Sequence, residues 1–165
     1  MAAKLGMEAK AYLLTSGTRA SWGTADSDGF NSGAAPANLS ALSNLQDVSI
    51  PVTKGEADIT TRGNNGWRAI LGTLKDVSVD LNMVYDTADT LQIALLKAWI
   101  GNTSVAVALL DGDKATVGSR GLWADWQVVG CNKEEALEDG QKIVFTIKPT
   151  LTSVAPQYVK VTAGT

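Results

Sequence analysis

The 165-residue chain contains no histidine and one cysteine, Cys131, and each scarcity removes a class of chemistry. Without an imidazole there is no general base poised near neutral pH, no usual activator for a serine or cysteine nucleophile, and no filler for the commonest zinc sites. A single cysteine permits neither an internal disulfide nor a thiolate zinc cluster, which fits synthesis in a reducing compartment. Proline (4) and phenylalanine (2) are few while glycine (16) is not, a balance that suits short strands joined by many turns. Net charge is only −3, so the chain lacks the basic footprint of a protein that grips nucleic acid.

Long hydrophobic runs are also missing. Residues 91–96 form the longest apolar stretch without a charge, interrupted by Gln92 and ended by Lys97, far short of the roughly 20 residues of a membrane helix. Lys4, Glu8 and Lys10 place charge where a signal peptide needs an apolar core. The expectation is a soluble chain that is not exported, with no membrane partner. At 45% apolar and 19% charged residues it has globular composition, and its length suits a single domain, 1–165.

Residues 9–14 can form a first strand. Residues 15–46 are rich in Gly, Ser, Ala and Asn and read as a long loop in which Trp22, Phe30, Leu39, Leu42 and Leu45 are possible docking points. That loop is either a flexible surface segment or an ordered arm lying on a neighbouring copy. From Asp47 the pattern turns to period two, with Val48, Ile50 and Val52 on one face and Asp47, Ser49, Pro51 and Thr53 on the other. Pro51 has no amide hydrogen to donate, which places it at a sheet edge or a bulge. Lys54-Gly55-Glu56 reads as a turn before a strand through Ala57, Ile59 and Thr61, and Gly63-Asn64-Asn65-Gly66 is a further turn. Residues 74–85 alternate most clearly: Val77, Val79, Leu81, Met83 and Tyr85 oppose Ser78, Asp80 and Asn82.

Asp86 or Thr87 can cap a helix over residues 87–100, with Asp89 in its first turn and Gly101-Asn102 as its stop. Leu91, Ala94, Leu95, Ala98 and Trp99 share one face, while Ile93, Leu96 and Ile100 carry the apolar surface round the cylinder. Either the chain's own core or a neighbouring copy covers that remainder. Residues 105–110, 122–129, 142–151 and the tail 157–165 read as strands, separated by a loop at 111–118 and a polar turn at 132–140.

Candidate chemistry is thin. Asp58, Asp76, Asp80, Asp86, Asp89 and Asp125 fall at turns or on polar strand faces, the setting of solvated surface carboxylates and not of an acid/base pair. Asp111-Gly112-Asp113 lacks the later acidic positions of a calcium loop and reads as a hairpin turn. Gly66 to Thr73 lacks the Gly-Lys-Ser/Thr ending of a phosphate loop. The five tryptophans, Trp22, Trp67, Trp99, Trp123 and Trp126, could suggest a sugar platform. However, Trp123 and Trp126 are three apart and in a strand face opposite sides, which favours core or subunit contacts. Cys131 reads as an inert small residue. The residues therefore point away from an enzyme, with no metal and no cofactor expected.

Three blocks carry a resemblance: Gly55-Glu56-Ala57-Asp58-Ile59-Thr60-Thr61-Arg62 followed by Trp67-Arg68; Leu74-Lys75-Asp76 through Met83-Val84-Tyr85-Asp86; and Gly121-Leu122-Trp123-Ala124-Asp125-Trp126 leading to Lys148-Pro149-Thr150. Together they resemble the tail tube proteins of bacteriophages, the major tail proteins of long non-contractile-tailed phages. The resemblance implies a mainly β fold, a β-sandwich or partial barrel with one flanking helix and a long N-terminal loop. It further implies a structural virion protein that forms stacked hexameric rings, whose sheets join into a barrel around a channel for genome ejection. The implied partners are further copies, other tail proteins and double-stranded DNA in transit without specific binding. The implied location is the virion tail, after synthesis in the bacterial host cytoplasm.

On that resemblance Ser78, Asp80 and Asn82 are candidate lumen-facing residues. Trp22, Phe30, Ile93, Leu96 and Ile100 are candidate contacts between subunits or rings, and Asp58, Arg62, Trp67 and Arg68 form the family-like motif. The rival readings are a secretion-system-type tube, a monomeric β-sandwich carbohydrate-binding module and a carboxylate-only hydrolase. The tube readings expect tryptophan fluorescence to be indifferent to added sugars; saturable quenching by an oligosaccharide would favour the carbohydrate-binding module.

Overall fold

The computed structural model describes residues 8–64, 67–135, 140–150, 152 and 154–162. In chain order the elements are β1 (Lys10–Leu14), β2 (Thr24–Ala25), β3 (Asn31–Gly33), β4 (Leu39–Ala41), β5 (Leu45–Ser49), β6 (Val52–Asp58), β7 (Ile70–Val77), β8 (Val79–Val84), α1 (Thr90–Gly101), β9 (Ser104–Leu110), β10 (Arg120–Glu134), β11 (Lys142–Pro149) and β12 (Gln157–Val161). Ten strands share one curled half-barrel sheet, in which β2-β3-β12-β10-β11-β8-β5 form the main path and β9, β1 and β4 branch from the other edge of β10. β6 and β7 pair only with each other. The mainly β architecture with one helix is the fold expected from the sequence. Among the described residues no helix is long and apolar enough to cross a membrane.

The sheet around β10 is apolar on both faces because both parities of its strands carry apolar side chains. Ala11 and Leu13 of β1, Val107 and Leu109 of β9, and Leu122, Ala124, Trp126 and Val128 of β10 point into one core. This core is closed by β8, β11 and the helix residues Leu95 and Ala98. Tyr12, Ala106, Ala108, Leu110 and Trp123 point the other way, into a second core with Trp22, Ala35, Leu39, Val159 and Val161. Trp123 and Trp126 thus occupy opposite faces, as strand alternation requires.

The second core corrects the reading of residues 15–46. That stretch holds β2, β3 and β4 and lies on the sheet as a cover, with Trp22 1% exposed. Its backbone and side chains are fastened at several points. Trp123 Nε1 donates to the Ala20 carbonyl at 2.9 Å, Trp22 Nε1 donates to the Gly33 carbonyl at 3.3 Å, and the two indoles meet edge to face at 5.8 Å. Strands of two or three residues are too short to show a period, so they left no signature in the sequence.

Asp125, read as a solvated carboxylate, is also corrected. It lies 8% exposed on the second face of β10 and accepts from Arg19 Nε at 2.6 Å. The Thr152 hydroxyl donates to the same carboxylate, and Arg19 Nη2 donates to the carbonyls of Val154 and Ala155. The buried guanidinium also sits 5.8 Å from the Trp123 ring.

The period-two run from Asp47 is interrupted at Ile50-Pro51. β5 pairs with β8 inside the main sheet, whereas β6 pairs with β7 outside it, so β5–β6 and β7–β8 make one long hairpin whose far half projects as an arm. Lys54-Gly55-Glu56 is not a turn: β6 runs through it, and the register shifts between Lys54 and Glu56. A Cβ on Gly55 would stand 2.4 Å from the hydroxyl of the exposed Thr73, so a larger residue at that bulge would turn this side chain aside. Likewise the expected strand 74–85 belongs to two strands, β7 and β8, that meet at Ser78. The turn expected at Gly63-Asn64-Asn65-Gly66 begins as a 3-10 turn at Arg62–Asn64, and Asn65 and Gly66 lie outside the described residues.

α1 starts later than expected because Asp89 itself is the N-cap, accepting from the amides of Leu91 and Gln92. Asn102 ends it at φ 53, in the left-handed region, with its amide donating to the Ala98 carbonyl. Buried Gln92 is satisfied at both ends, donating to the Val84 carbonyl and accepting from the Asp86 amide, each at 2.9 Å.

Replacing Asp125 with Ala strands the Arg19 guanidinium in the core, and the expected loss is about 3–5 kcal/mol. The double variant R19L/D125L, which removes both charges, is expected to recover much of it. Denaturant midpoints of the single and double variants check this; equal midpoints for D125A and wild type would show that the pair is not a buried contact.

Candidate assembly surface

The outer face of β8 carries Asp80 and Asn82, continued by Ser78 just before it, all partly exposed, because Val79, Leu81 and Met83 are drawn fully into the core. Register extends this polar face across the neighbouring strands. Thr146 and Val144 of β11 lie opposite Asp80 and Asn82, Lys142 lies opposite Val84, and Asp47 and Ser49 of β5 lie opposite Asn82 and Asp80. The Thr146 hydroxyl donates to Asp80 Oδ1 at 2.7 Å, a cross-strand pair that fixes the carboxylate. The three candidate lumen residues therefore share one mixed-charge sheet face.

That sheet also has unpaired borders. β5 is the last strand of its path, and β9 accompanies β10 only as far as Gln127, leaving the same edge of residues 128–134 without a paired strand among the described residues. Free edges expose rows of backbone donors and acceptors, which proteins ordinarily shield or pair.

The arm is the second unusual surface. Leu74 is 85% exposed, Trp67 78%, Leu71 57% and Ile59 51%, a concentration of apolar side chains in contact with water. Of the family-like motif, the arm brings Asp58 and Arg68 together at 3.2 Å, places Arg62 in the 3-10 turn and leaves the Trp67 side chain outside. Hydrogen bonds from Thr60, first its hydroxyl and then its amide, hold the Asp58 carboxyl below its ordinary range, with Arg68 adding to the effect.

The candidate contact residues divide. Trp22 is buried within its own chain and has no surface to offer a neighbour, a correction that follows from the second core. Phe30 is half-buried, with the Arg120 guanidinium 5.0 Å from its ring, and it lines an apolar groove beside Ile50, Val52 and Tyr158. On α1, Ile93 and Leu96 are half-buried and Ile100 is 70% exposed. These helix residues do not line the groove of their own chain.

Other polar groups have structural partners. Asp113 pairs with Lys10 at 2.6 Å, which lowers the carboxyl and raises the ammonium pKa. Asp86 Oδ1 accepts from the Ala88 amide and Asp111 Oδ1 from the Arg120 amide. Burial raises the Cys131 thiol above its ordinary range, the direction of an unreactive thiol. Among the described residues no three His, Cys, Asp or Glu side chains gather as a metal site. Trp22, Trp123 and Trp126 are buried, and the exposed Trp67 and Trp99 stand on the arm side and the helix, so the tryptophans build no shared sugar platform.

No protein-family model and no curated protein matches the sequence. Solved structures do match in shape. A chain from the tail of an empty gene transfer agent particle, refined with C6 symmetry, superposes with a TM-score of 0.67 at 14% identity, covering 95% of this chain and 99% of that one. A chain of the SPP1 tail tube gives 0.62 at 10% identity, covering 96% and 80% respectively. A chain of the anti-feeding prophage baseplate gives 0.62 at 11% identity, covering 97% of each. At such identities the likeness is one of fold, and nearly the whole chain takes part in it: the protein has the fold of phage-type tail tube subunits.

Proposed function

We propose that the chain is the repeating subunit of a phage tail tube, assembling as stacked hexameric rings around a channel through which the genome is ejected. The observation that carries this reading is the unfinished sheet, with a polar outer face and unpaired borders at β5 and at residues 128–134 of β10. Joining such sheets border to border removes the free edges and turns the polar face into the wall of a closed barrel. The C6 symmetry named for the gene transfer agent tail supports six copies per ring.

On this reading the wall is built from Asp47, Ser49, Ser78, Asp80, Asn82 and Thr146, flanked by Lys142. Six copies at −3 each make a ring that repels phosphate overall, so DNA is guided and not held. The chain is made in the host cytoplasm and resides in the virion tail, beside other tail proteins of a long non-contractile tail. Its role is structural, with the arm and helix supplying contacts between copies. The fold likeness to the anti-feeding prophage baseplate favours one second reading, a secretion-type tube of the same polymer physics with a different cargo.

Negative-stain electron microscopy of the purified chain over a range of concentrations is expected to show hollow rings or tubes; particles that stay monomeric at millimolar concentration would reject the reading. Replacing Asp80 with Lys reverses a charge on the proposed wall at every copy. Tubes of that variant are expected to retain duplex DNA at low salt and release it as salt rises. Retention no greater than that of wild-type tubes would turn this face away from the channel.

A further inference from the structure

We propose that the cleft beside Arg19 is a binding site for an amide group. The cleft has a volume of about 290 Å³. A water molecule takes up roughly 30 Å³, so the space is that of a side chain or a small ligand. Its polar walls are Thr18, Arg19, Ser104, Asp125 and Thr152. None of these belongs to the polar face around β8 or to the arm, and the inference does not depend on the tube reading.

The chemistry of the occupant follows from what the charged pair leaves unsatisfied. The Arg19 side chain is 1% exposed, and its Nε and Nη2 donate to Asp125 and to the Val154 and Ala155 carbonyls. Its Nη1 has no hydrogen-bond partner among the described residues. Asp125 is half-used in the same way. Arg19 Nε and the Thr152 hydroxyl both donate to Oδ2, so Oδ1 accepts from no group among the described residues. A buried donor without an acceptor is costly, and native proteins ordinarily supply one. The complementary ligand brings an accepting oxygen to Nη1 and a donor to Oδ1.

Charge narrows the class. The two ionised walls cancel, so an oxyanion would gain no net attraction and would face the Asp125 carboxylate, while a cation would face the guanidinium. An amide carries an accepting carbonyl and a donating N–H without a charge. The backbone of β9 adds the same preference. β1 accompanies β9 only from Leu110 to Val107, so residues 104–106, which line the cleft, have no strand partner on that side among the described residues. Such an edge pairs with the N–H and C=O of amides. Two sources supply the group: a free small molecule, and the chain of a neighbouring copy.

Titration of the Arg19 Nε–H signal by NMR tests the site, with N-acetylglycinamide as probe and with acetate and methylammonium as charged controls at matched ionic strength. The amide is expected to shift the signal saturably in the millimolar range, and each control to bind about tenfold more weakly or not at all. T18F and S104F fill the cleft from exposed positions; each is expected to keep the wild-type melting temperature and lose the response. No saturable shift with the amide means a cleft that holds water only, and overturns the proposal. Acetate that binds as tightly as the amide overturns it too, as does a response that survives both variants. Equilibrium dialysis of the probe against assembled polymer separates the sources. Uptake lost on assembly supports the site with a neighbouring copy's amide as its occupant, and uptake retained supports it with a free small molecule.

Discussion

The constraint on which the structure depends is that β10 is buried on both faces. A strand with one apolar face needs one cover; with Trp123 on one side and Trp126 on the other, it needs two. The first cover is the curl of the sheet itself, which brings β8, β11 and the helix over Trp126. The second is the N-terminal segment, whose composition alone would never form a core. It is held because it satisfies polar groups that the sheet cannot satisfy internally: the Trp123 indole finds the Ala20 carbonyl, and Asp125 finds Arg19. Leaving such groups unpaired in an apolar setting costs more than the hydrogen bond itself returns. The segment is therefore ordered by the demands of β10.

Inside the chain most polar groups have partners, the buried Arg19 Nη1 excepted, whereas the outside is unfinished. Core tryptophans donate to carbonyls, the helix is capped at both ends, and the buried Gln92 is satisfied at both ends of its amide. Outside stand an arm with Leu74 and Trp67 in water, a helix with Ile100 turned outward and a sheet with open borders. Scattered exposed apolar residues are ordinary, but here they are gathered on elements that also have unfinished pairing. On the proposed polymer reading this asymmetry has a physical reason: part of the surface is a core that a neighbouring copy completes.

Legibility in the sequence followed the length of each regular element. The alternation of residues 77–83 sufficed to assign faces, and Gly101-Asn102 marked the helix end within a residue. The N-terminal segment was opaque because β2, β3 and β4 are too short for a period to register. Lys54-Gly55-Glu56 misled because glycine between charges has the composition of a turn, whereas here it sits within β6 where the register shifts opposite β7. Asp125 carried no local sign of burial, since its partner Arg19 stands 106 residues away. An arginine in a polar stretch and an aspartate between two tryptophans become a pair only once the fold joins them. A surplus of apolar surface on the helix was legible in the sequence, but which of those side chains face outward required the fold.

The polar sheet face raises a separate question of balance. A wall of uniformly negative side chains would repel duplex DNA strongly but would also strain the ring through repulsion among its own copies. The face instead combines Asp47 and Asp80 with Lys142, with the hydroxyls of Ser49, Ser78 and Thr146 and with the apolar Val84 and Val144, and the Thr146 hydroxyl ties the Asp80 carboxylate into the sheet by a hydrogen bond. Such a surface offers a phosphate backbone no run of cations and few mobile charges to reorganise around it. Counterion release, the main source of nonspecific affinity for DNA, then has little to act on. If this face lines a channel, its slipperiness comes from low charge of mixed sign and hydration at short range, with the net negative charge of the ring acting at longer range, where salt screens it.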